Sequence, residues 1–163
     1  MSADHINIRE IRPQDNAQIE KVIKDCFPEW GIPMVGTAYE DTETSNMYEA
    51  YQNEGEVYFV VDDGNKVLGG AGIKKLNDFE GEVCELQKMY FSPEIRGYGL
   101  AKKMIEKCMT AAKNLGYKTC YLESASQLKP AIKLYETSGF EHRDTPLGNT
   151  GHYSCGIWMT KEL

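Results

Sequence analysis

Residues 83–101 read V-C-E-L-Q-K-M-Y-F-S-P-E-I-R-G-Y-G-L-A, and the succession of residue types along them decides the kind of fold this chain builds. Val83 to Phe91 is a strand-like run that stops at Ser92-Pro93, because proline has no N–H to give to a central ladder. After the glycines a helical pattern begins. Leu100, Met104, Ile105, Cys108, Met109, Ala112 and Leu115 share one face, with Lys102, Lys103, Glu106, Lys107 and Lys113 on the other. Gly116 is placed to end that helix as a left-handed cap. In R-G-Y-G-L-A (Arg96 to Ala101), the closely spaced glycines let backbone N–H groups turn inward, and a helix N-terminus adds about half a positive charge. Such a loop suits a phosphate or pyrophosphate; a plain tight turn is the alternative. The chain has no G-x-x-x-x-G-K-S/T, and G-Y-G-L-A-K lacks the third glycine or alanine of a dinucleotide fingerprint.

Towards the N-terminus, V-Y-F-V-V (Val57 to Val61) and Lys66 to Lys74 are strand-like runs joined by D-D-G-N, the turn chemistry of an antiparallel hairpin. Ile6, Ile8 and Ile11 suggest an earlier strand broken near Pro13, and Ile19, Val22, Ile23 and Cys26 predict a helix from Asp15 to Phe27 capped by Asp15 or Asn16. Pro28 to Thr44 reads as a long connection of the kind that borders a site, followed by a helix around Ser45 to Gln52. Towards the C-terminus, Lys118 to Ser124 is a short strand. Pro130 suits the first turn of a helix carrying Ala131, Ile132, Leu134 and Tyr135, which closes at Ser138-Gly139. Phe140 to Arg143 and His152 to Thr160 read as terminal strands, the last alternating through Tyr153, Cys155, Ile157 and Met159. The class is mixed α/β with one sheet.

At 163 residues the chain fits one domain, 1–163, large enough to bury a core without disulfides or metals. Its formal net charge of -7 disfavours broad attraction to nucleic acid or anionic membrane. No basic leader with an apolar run opens the sequence and no stretch of about 18 apolar residues occurs, so the expectation is a cytoplasmic protein with no membrane span. Cys26, Cys84, Cys108, Cys120 and Cys155 lack C-x-x-C spacing, which points to free thiols and no zinc knuckle. A homodimer, the commonest soluble assembly, stays open.

Leu86 to Ala101 resembles the signature of the Gcn5-related N-acetyltransferase (GNAT) superfamily, whose loop is written Q/R-x-x-G-x-G/A; Arg96, Gly99 and Ala101 match it. Downstream, A-I-K-L-Y-E-T-S-G-F (Ala131 to Phe140) resembles the family block A-I-x-L-Y-E-K-x-G-F. The resemblance spans about Val57 to Phe140. It implies the GNAT fold, a central mixed, mostly antiparallel sheet flanked by helices, with acetyl-CoA as cosubstrate and no metal. In the family the strand before the loop bulges and splays from its neighbour. The pantetheine arm would then bond to main chain of Met89, Tyr90 and Phe91, and the pyrophosphate to N–H groups of Arg96, Gly97, Tyr98, Gly99, Leu100, Ala101 and Lys102. The sequence departs from the pattern at Leu128, where many members have asparagine.

An alkylamine is protonated at neutral pH, so acylating it needs a proton acceptor, oriented N–H groups for the developing oxyanion and an acid for the leaving thiolate. By resemblance Glu85 is the general base, often acting through water, and Tyr135 the hydroxyl that reaches the thioester sulfur; the N–H of Met89 could stabilise the oxyanion. The plain alternatives are a Glu85 that faces solvent or pairs with Lys88, and a Tyr135 that is core. His142 and His152 are not at metal-ligand spacing, which points to packing or surface roles, with an acceptor-site role open. Lys102 and Lys103 suit either the adenosine 3′-phosphate or a solvated helix face. The acidic run Glu40 to Glu43 could form a negative rim attracting a cationic amine. The functional expectation is N-acetyl transfer to a small-molecule or peptide amine by direct transfer in a ternary complex. The competing class is a non-catalytic acyl-CoA-binding regulatory module.

Overall fold

Missing side chains in one strand govern how the sheet packs. In the computed structural model, which describes residues 5–163, the run V-L-G-G-A-G-I-K-K forms strand β3 (Val67–Lys75). A Cβ on Gly70 or Gly72 would come within 2.5 Å of the Tyr58 ring, so glycine at both positions is what lets that ring lie across the strand. Met1 to Asp4, where the N-terminal reading began, lie outside the described residues.

β3 lies in a seven-stranded sheet with β1 (Asn7–Glu10), β2 (Val57–Asp62), β4 (Val83–Phe91), β5 (Thr119–Ser124), β6 (Glu141–Arg143) and β7 (Ile157–Glu162), in the order β1-β2-β3-β4-β5-β7-β6. Among the described residues only the β4–β5 pair is parallel. The helices are α1 (Asn16–Trp30), α2 (Met47–Ala50), α3 (Leu100–Asn114) and α4 (Lys129–Thr137). This is the mixed, mostly antiparallel sheet with flanking helices that the sequence led us to expect.

Two hydrophobic clusters cover the sheet. Met104, Ile105 and Cys108 of α3 pack on Phe59, Val61, Ile73, Cys84 and Leu86, while Ile19, Ile23 and Phe27 of α1 pack with Tyr58 and Val60. Each such side chain removed from water contributes about 1.5–3 kcal/mol before entropy is counted. Because strand side chains alternate, Cys84 and Leu86 beneath α3 place Glu85 and Gln87 on the opposite face, that of α1 and α2. Lys74 and Tyr121 stand directly across from Glu85 on the flanking strands and share that face.

Three boundaries differ from the sequence reading. α1 runs through Pro28 to Trp30, because the missing proline N–H forfeits one bond while Gly31, at φ 65°, closes the helix with bonds to Phe27 and Pro28. The expected helix Ser45–Gln52 shrinks to the single turn of α2, preceded by a 3-10 turn over Thr42–Ser45. The last strand begins at Ile157, not His152, and ends at Glu162. Residues 152–156 leave the sheet because they are held elsewhere. Ser154 bonds to the carbonyls of Val35 and Gly36, and His152 bonds to Asp41.

Candidate active site

β4 separates from β5 in its second half. The parallel ladder joins Val83, Cys84 and Glu85 to Thr119, Cys120 and Tyr121 and then stops, although both strands continue. On the other side the register with β3 jumps from Gly72↔Gln87 to Gly70↔Tyr90, so Lys88 and Met89 form a bulge. Lys88 carries φ 48°, a left-handed conformation uncommon for a side-chain-bearing residue. Tyr58, in the space left by the β3 glycines, donates its hydroxyl to the Lys88 carbonyl at 2.8 Å and pins the bulge.

The gap opens into a groove of about 380 Å³. Of the residues expected to meet the cofactor, Met89, Tyr90, Phe91, Arg96, Gly97, Gly99, Leu100, Ala101 and Lys102 line it; Tyr98 stands outside, partly exposed. Gly97 at φ 87° and Gly99 at φ 74° turn the backbone so that α3 starts at Leu100 with no side chain capping it. Among the described residues, the N–H groups of Gly97, Gly99, Leu100, Ala101 and Lys102 meet no protein acceptor, while Lys103 closes the first helical bond to Gly99. Orphan donors at a helix start are a ready anion cradle, and a phosphate fits them.

Arg96 departs from the expected pattern. Its N–H donates to Pro93 at 3.3 Å, so the available donors begin at Gly97. Its guanidinium binds the Glu29 carboxylate and the Phe91 carbonyl and stacks 5.3 Å from the Trp30 ring, which ties the end of α1 to the groove wall. Leu128 sits at the α4 N-terminus and lines the groove as an apolar wall.

Where the groove narrows, a cavity of about 50 Å³ brings together Glu85 from β4 and Tyr135 from α4, more than forty positions apart in the chain, with Glu123, His152 and Cys155. Glu85 neither faces solvent nor pairs with Lys88. It is 4% exposed and accepts a 2.6 Å bond from the Gln87 amide, which in turn accepts one from the Tyr51 hydroxyl at 2.7 Å. Burial pushes its carboxyl up to about 7; the Gln87 bond pulls down and the nearby Glu123 charge pushes up. Tyr135 is buried against Phe140, with ring centroids 5.9 Å apart, and burial raises its hydroxyl well above the usual range. Among the described residues no protein group bonds that hydroxyl, and Tyr135 lines the cavity.

The side chain of Lys88, 2% exposed, reaches Asp41 at 3.0 Å and Glu43 at 2.6 Å and anchors the connection over the site. For both carboxylates burial pushes upward but is outweighed, at Asp41 by His152 and Lys88 and at Glu43 by Lys88 and Lys74, so both are held below their ordinary values. His152 is opposed by burial and raised overall by its 2.7 Å bond to Asp41. Lys88 and Glu123 carry no sequence signal as site residues; the acidic run Glu40 to Glu43 and the acceptor-site role left open for His152 are the local signs of this corner.

Comparison with known proteins now decides the family. The sequence profile of the Acetyltransferase (GNAT) family matches residues 16–140. The chain belongs to the GNAT family. A GNAT relative, the uncharacterised N-acetyltransferase YjgM of Escherichia coli K12, is 45% identical over 157 residues, covering 96% of this chain and 94% of its own. Among solved GNAT structures, an acetyltransferase from Staphylococcus aureus Mu50 superimposes with a TM-score of 0.86 at 19% identity, covering 97% of this chain and 99% of that one. The PaiA N-acetyltransferase of Thermoplasma acidophilum, solved in complex with coenzyme A, gives 0.77 at 20% identity with both chains fully covered. The chain is thus an acyltransferase of the GNAT class, with the fold its two sequence blocks implied. No helix among the described residues is long and apolar enough to cross a membrane.

Proposed function

We propose that residues 1–163 act as one domain that moves an acetyl group from acetyl-CoA directly to a primary amine, with both substrates bound together. The observation that carries this reading is the convergence of Glu85 and Tyr135 on one small cavity continuous with a groove that ends at unpartnered amides. Bound acetyl-CoA supplies the activated acyl carbonyl. The amides of Gly97 and Gly99 to Lys102 hold its diphosphate, and the main chain of Met89, Tyr90 and Phe91, which β5 leaves unpaired apart from the Phe91 carbonyl held by Arg96, bonds the pantetheine arm.

Glu85 accepts the amine proton, directly or through a water; a carboxyl near 7 is matched to that task at neutral pH. The Met89 N–H, at the bulge, faces the charge that develops on the carbonyl oxygen. Tyr135 stays protonated because burial raises it, so it can give its proton to the departing thiolate. Direct transfer is supported by the thiol in the cavity: burial pushes Cys155 up to about 12, away from the thiolate form a nucleophile needs. With Asp41 and Glu43 paired to Lys88, Glu85 and Glu123 are the cavity carboxylates left to meet a cationic amine. The five free thiols fit a reducing, cytoplasmic compartment.

The test has two stages. Calorimetry with coenzyme A reads the groove, and thiol release from acetyl-CoA is then followed across amines, amino acids and peptides. Heat and turnover support the reading. Heat without release for every acceptor leaves the non-catalytic binding module, and no heat overturns both.

A further inference from the structure

Three side chains facing the small cavity carry neither the proton nor the acyl group in the transfer: Glu123 on β5, and His152 and Cys155 in the loop before β7. A carboxylate oxygen, a ring nitrogen and the thiol sulfur of this trio all lie within 4.8 Å of one another, and each residue is half-buried. Tetrahedral donors on one zinc ion, with bonds of about 2.0–2.3 Å, stand about 3.3–3.7 Å apart, so modest side-chain rotations bring the three onto a common centre. Their supports are already in place. His152 bonds Asp41 through Nε2, the carboxylate–histidine pairing that orients metal-binding imidazoles, so Nδ1 is the nitrogen the proposed ion would take. Glu123 is held by the hydroxyls of Tyr121 and Thr150. One sulfur, one nitrogen and one oxygen donor make a set for a borderline-soft divalent ion rather than magnesium or calcium.

We propose that Glu123, His152 and Cys155 form a site for a zinc-like divalent cation, and that an ion bound there closes the amine cavity. On binding, the Cys155 S–H bond breaks, its proton passes to solvent and a thiolate–metal bond forms, with no change of oxidation state. The ion would stand in the same cavity of about 50 Å³ that Glu85 and Tyr135 line, where it competes for space with the head of an amine. The inhibitory half of the proposal rests on the acyl-transfer reading; the binding half does not.

The experiment titrates Zn²⁺ into the metal-free full chain by calorimetry and Co²⁺ by its thiolate-to-metal absorption band. One ion per chain and a thiolate band are expected, with affinity at least about tenfold weaker in Cys155→Ala, Cys155→Ser and Asp41→Asn. Coenzyme A binding, read in parallel, certifies that each variant is folded. Equal affinity in both Cys155 variants, or a Co²⁺ spectrum without the thiolate band, assigns the ion to an exposed pair such as His142–Glu136 and overturns the site. A dissociation constant weaker than about 0.1 mM overturns it as well. In turnover, Zn²⁺ should raise the acceptor KM of the parent protein and not of Cys155→Ala; binding with unchanged KM overturns the inhibition. Because metal binding is read without an acceptor, its failure and the failure of acyl transfer are seen separately.

Discussion

Replacing Glu85 by glutamine removes the group assigned to take the amine proton while keeping its shape and an oxygen to accept the bond from Gln87. In the parent protein burial pushes the carboxyl from its ordinary 4.5 to about 7, a preference for the neutral form of about 3 kcal/mol. About one tenth of the sites are then ionised at pH 6 and about nine tenths at pH 8. The kcat/KM of the parent divided by that of Glu85→Gln, followed by thiol release, should therefore rise about tenfold over that interval; taking the ratio cancels the ionisation of the acceptor itself. A Glu85 at its ordinary value would give a flat ratio over the same range, and a flat ratio refutes the assignment. The same group acts on stability. Below about pH 4.5 it is neutral in both states, and as pH rises the unfolded chain releases its proton first, so the stability of the neutral, buried form is lost through about pH 7. Glu85→Gln should match the parent in denaturant unfolding near pH 4.5 and exceed it by up to about 3 kcal/mol at pH 8. No gain at pH 8 would mean that the carboxyl is not desolvated.

Tyr135→Phe should lower kcat about 100-fold with coenzyme A affinity unchanged, and a retained kcat removes the hydroxyl from the mechanism. At Gly99 a Cβ would meet open space, so Gly99→Ala is penalised only through its φ of 74°, by about 1–2 kcal/mol. Calorimetry should show coenzyme A bound up to about tenfold more weakly. Lys88→Met removes the buried ammonium between Asp41 and Glu43, leaving Asp41 with His152 and Glu43 with Lys74, and should destabilise the protein by about 1–2 kcal/mol at pH 7 in thermal or denaturant unfolding. Both carboxylates are held below their ordinary values, so the contribution exists above about pH 4.5 and fades as pH falls; a deficit unchanged at pH 3 would contradict the ion-pair account.

Local chemistry made much of the fold legible. D-D-G-N could only turn a hairpin, Ser92-Pro93 had to end β4, and the apolar positions from Leu100 to Ala112 describe one helical face, whereas Leu115, expected on it, caps the helix and is exposed. Each of these signals acts over a few residues and needs no partner to be read. Glu85 and Tyr135 became candidates through two sequence blocks resembling a family, not through any local property of a glutamate or a tyrosine. Where local signals misled, a distant partner had won. Tyr153, Cys155, Ile157 and Met159 alternate as a strand should, yet residues 152–156 are claimed by the carbonyls of Val35 and Gly36 and by Asp41.

Lys88 shows the limit most clearly. In sequence it is a lysine on a strand, with every reason to face water; in the fold the Tyr58 hydroxyl, admitted by Gly70 and Gly72, holds its backbone in a left-handed bend, and its ammonium is buried between two carboxylates. Composition, periodicity and the Arg96–Ala101 loop were enough to say that this chain makes a mixed sheet with a glycine turn at a helix start, suited to an anion or to a plain tight turn, because those properties reside in neighbouring residues. Whether a carboxyl near 7, a reachable tyrosine hydroxyl and a histidine, thiol and carboxylate trio exist depends on desolvation and on distances between groups from separate strands and loops. Those quantities have no value until the chain has closed around them.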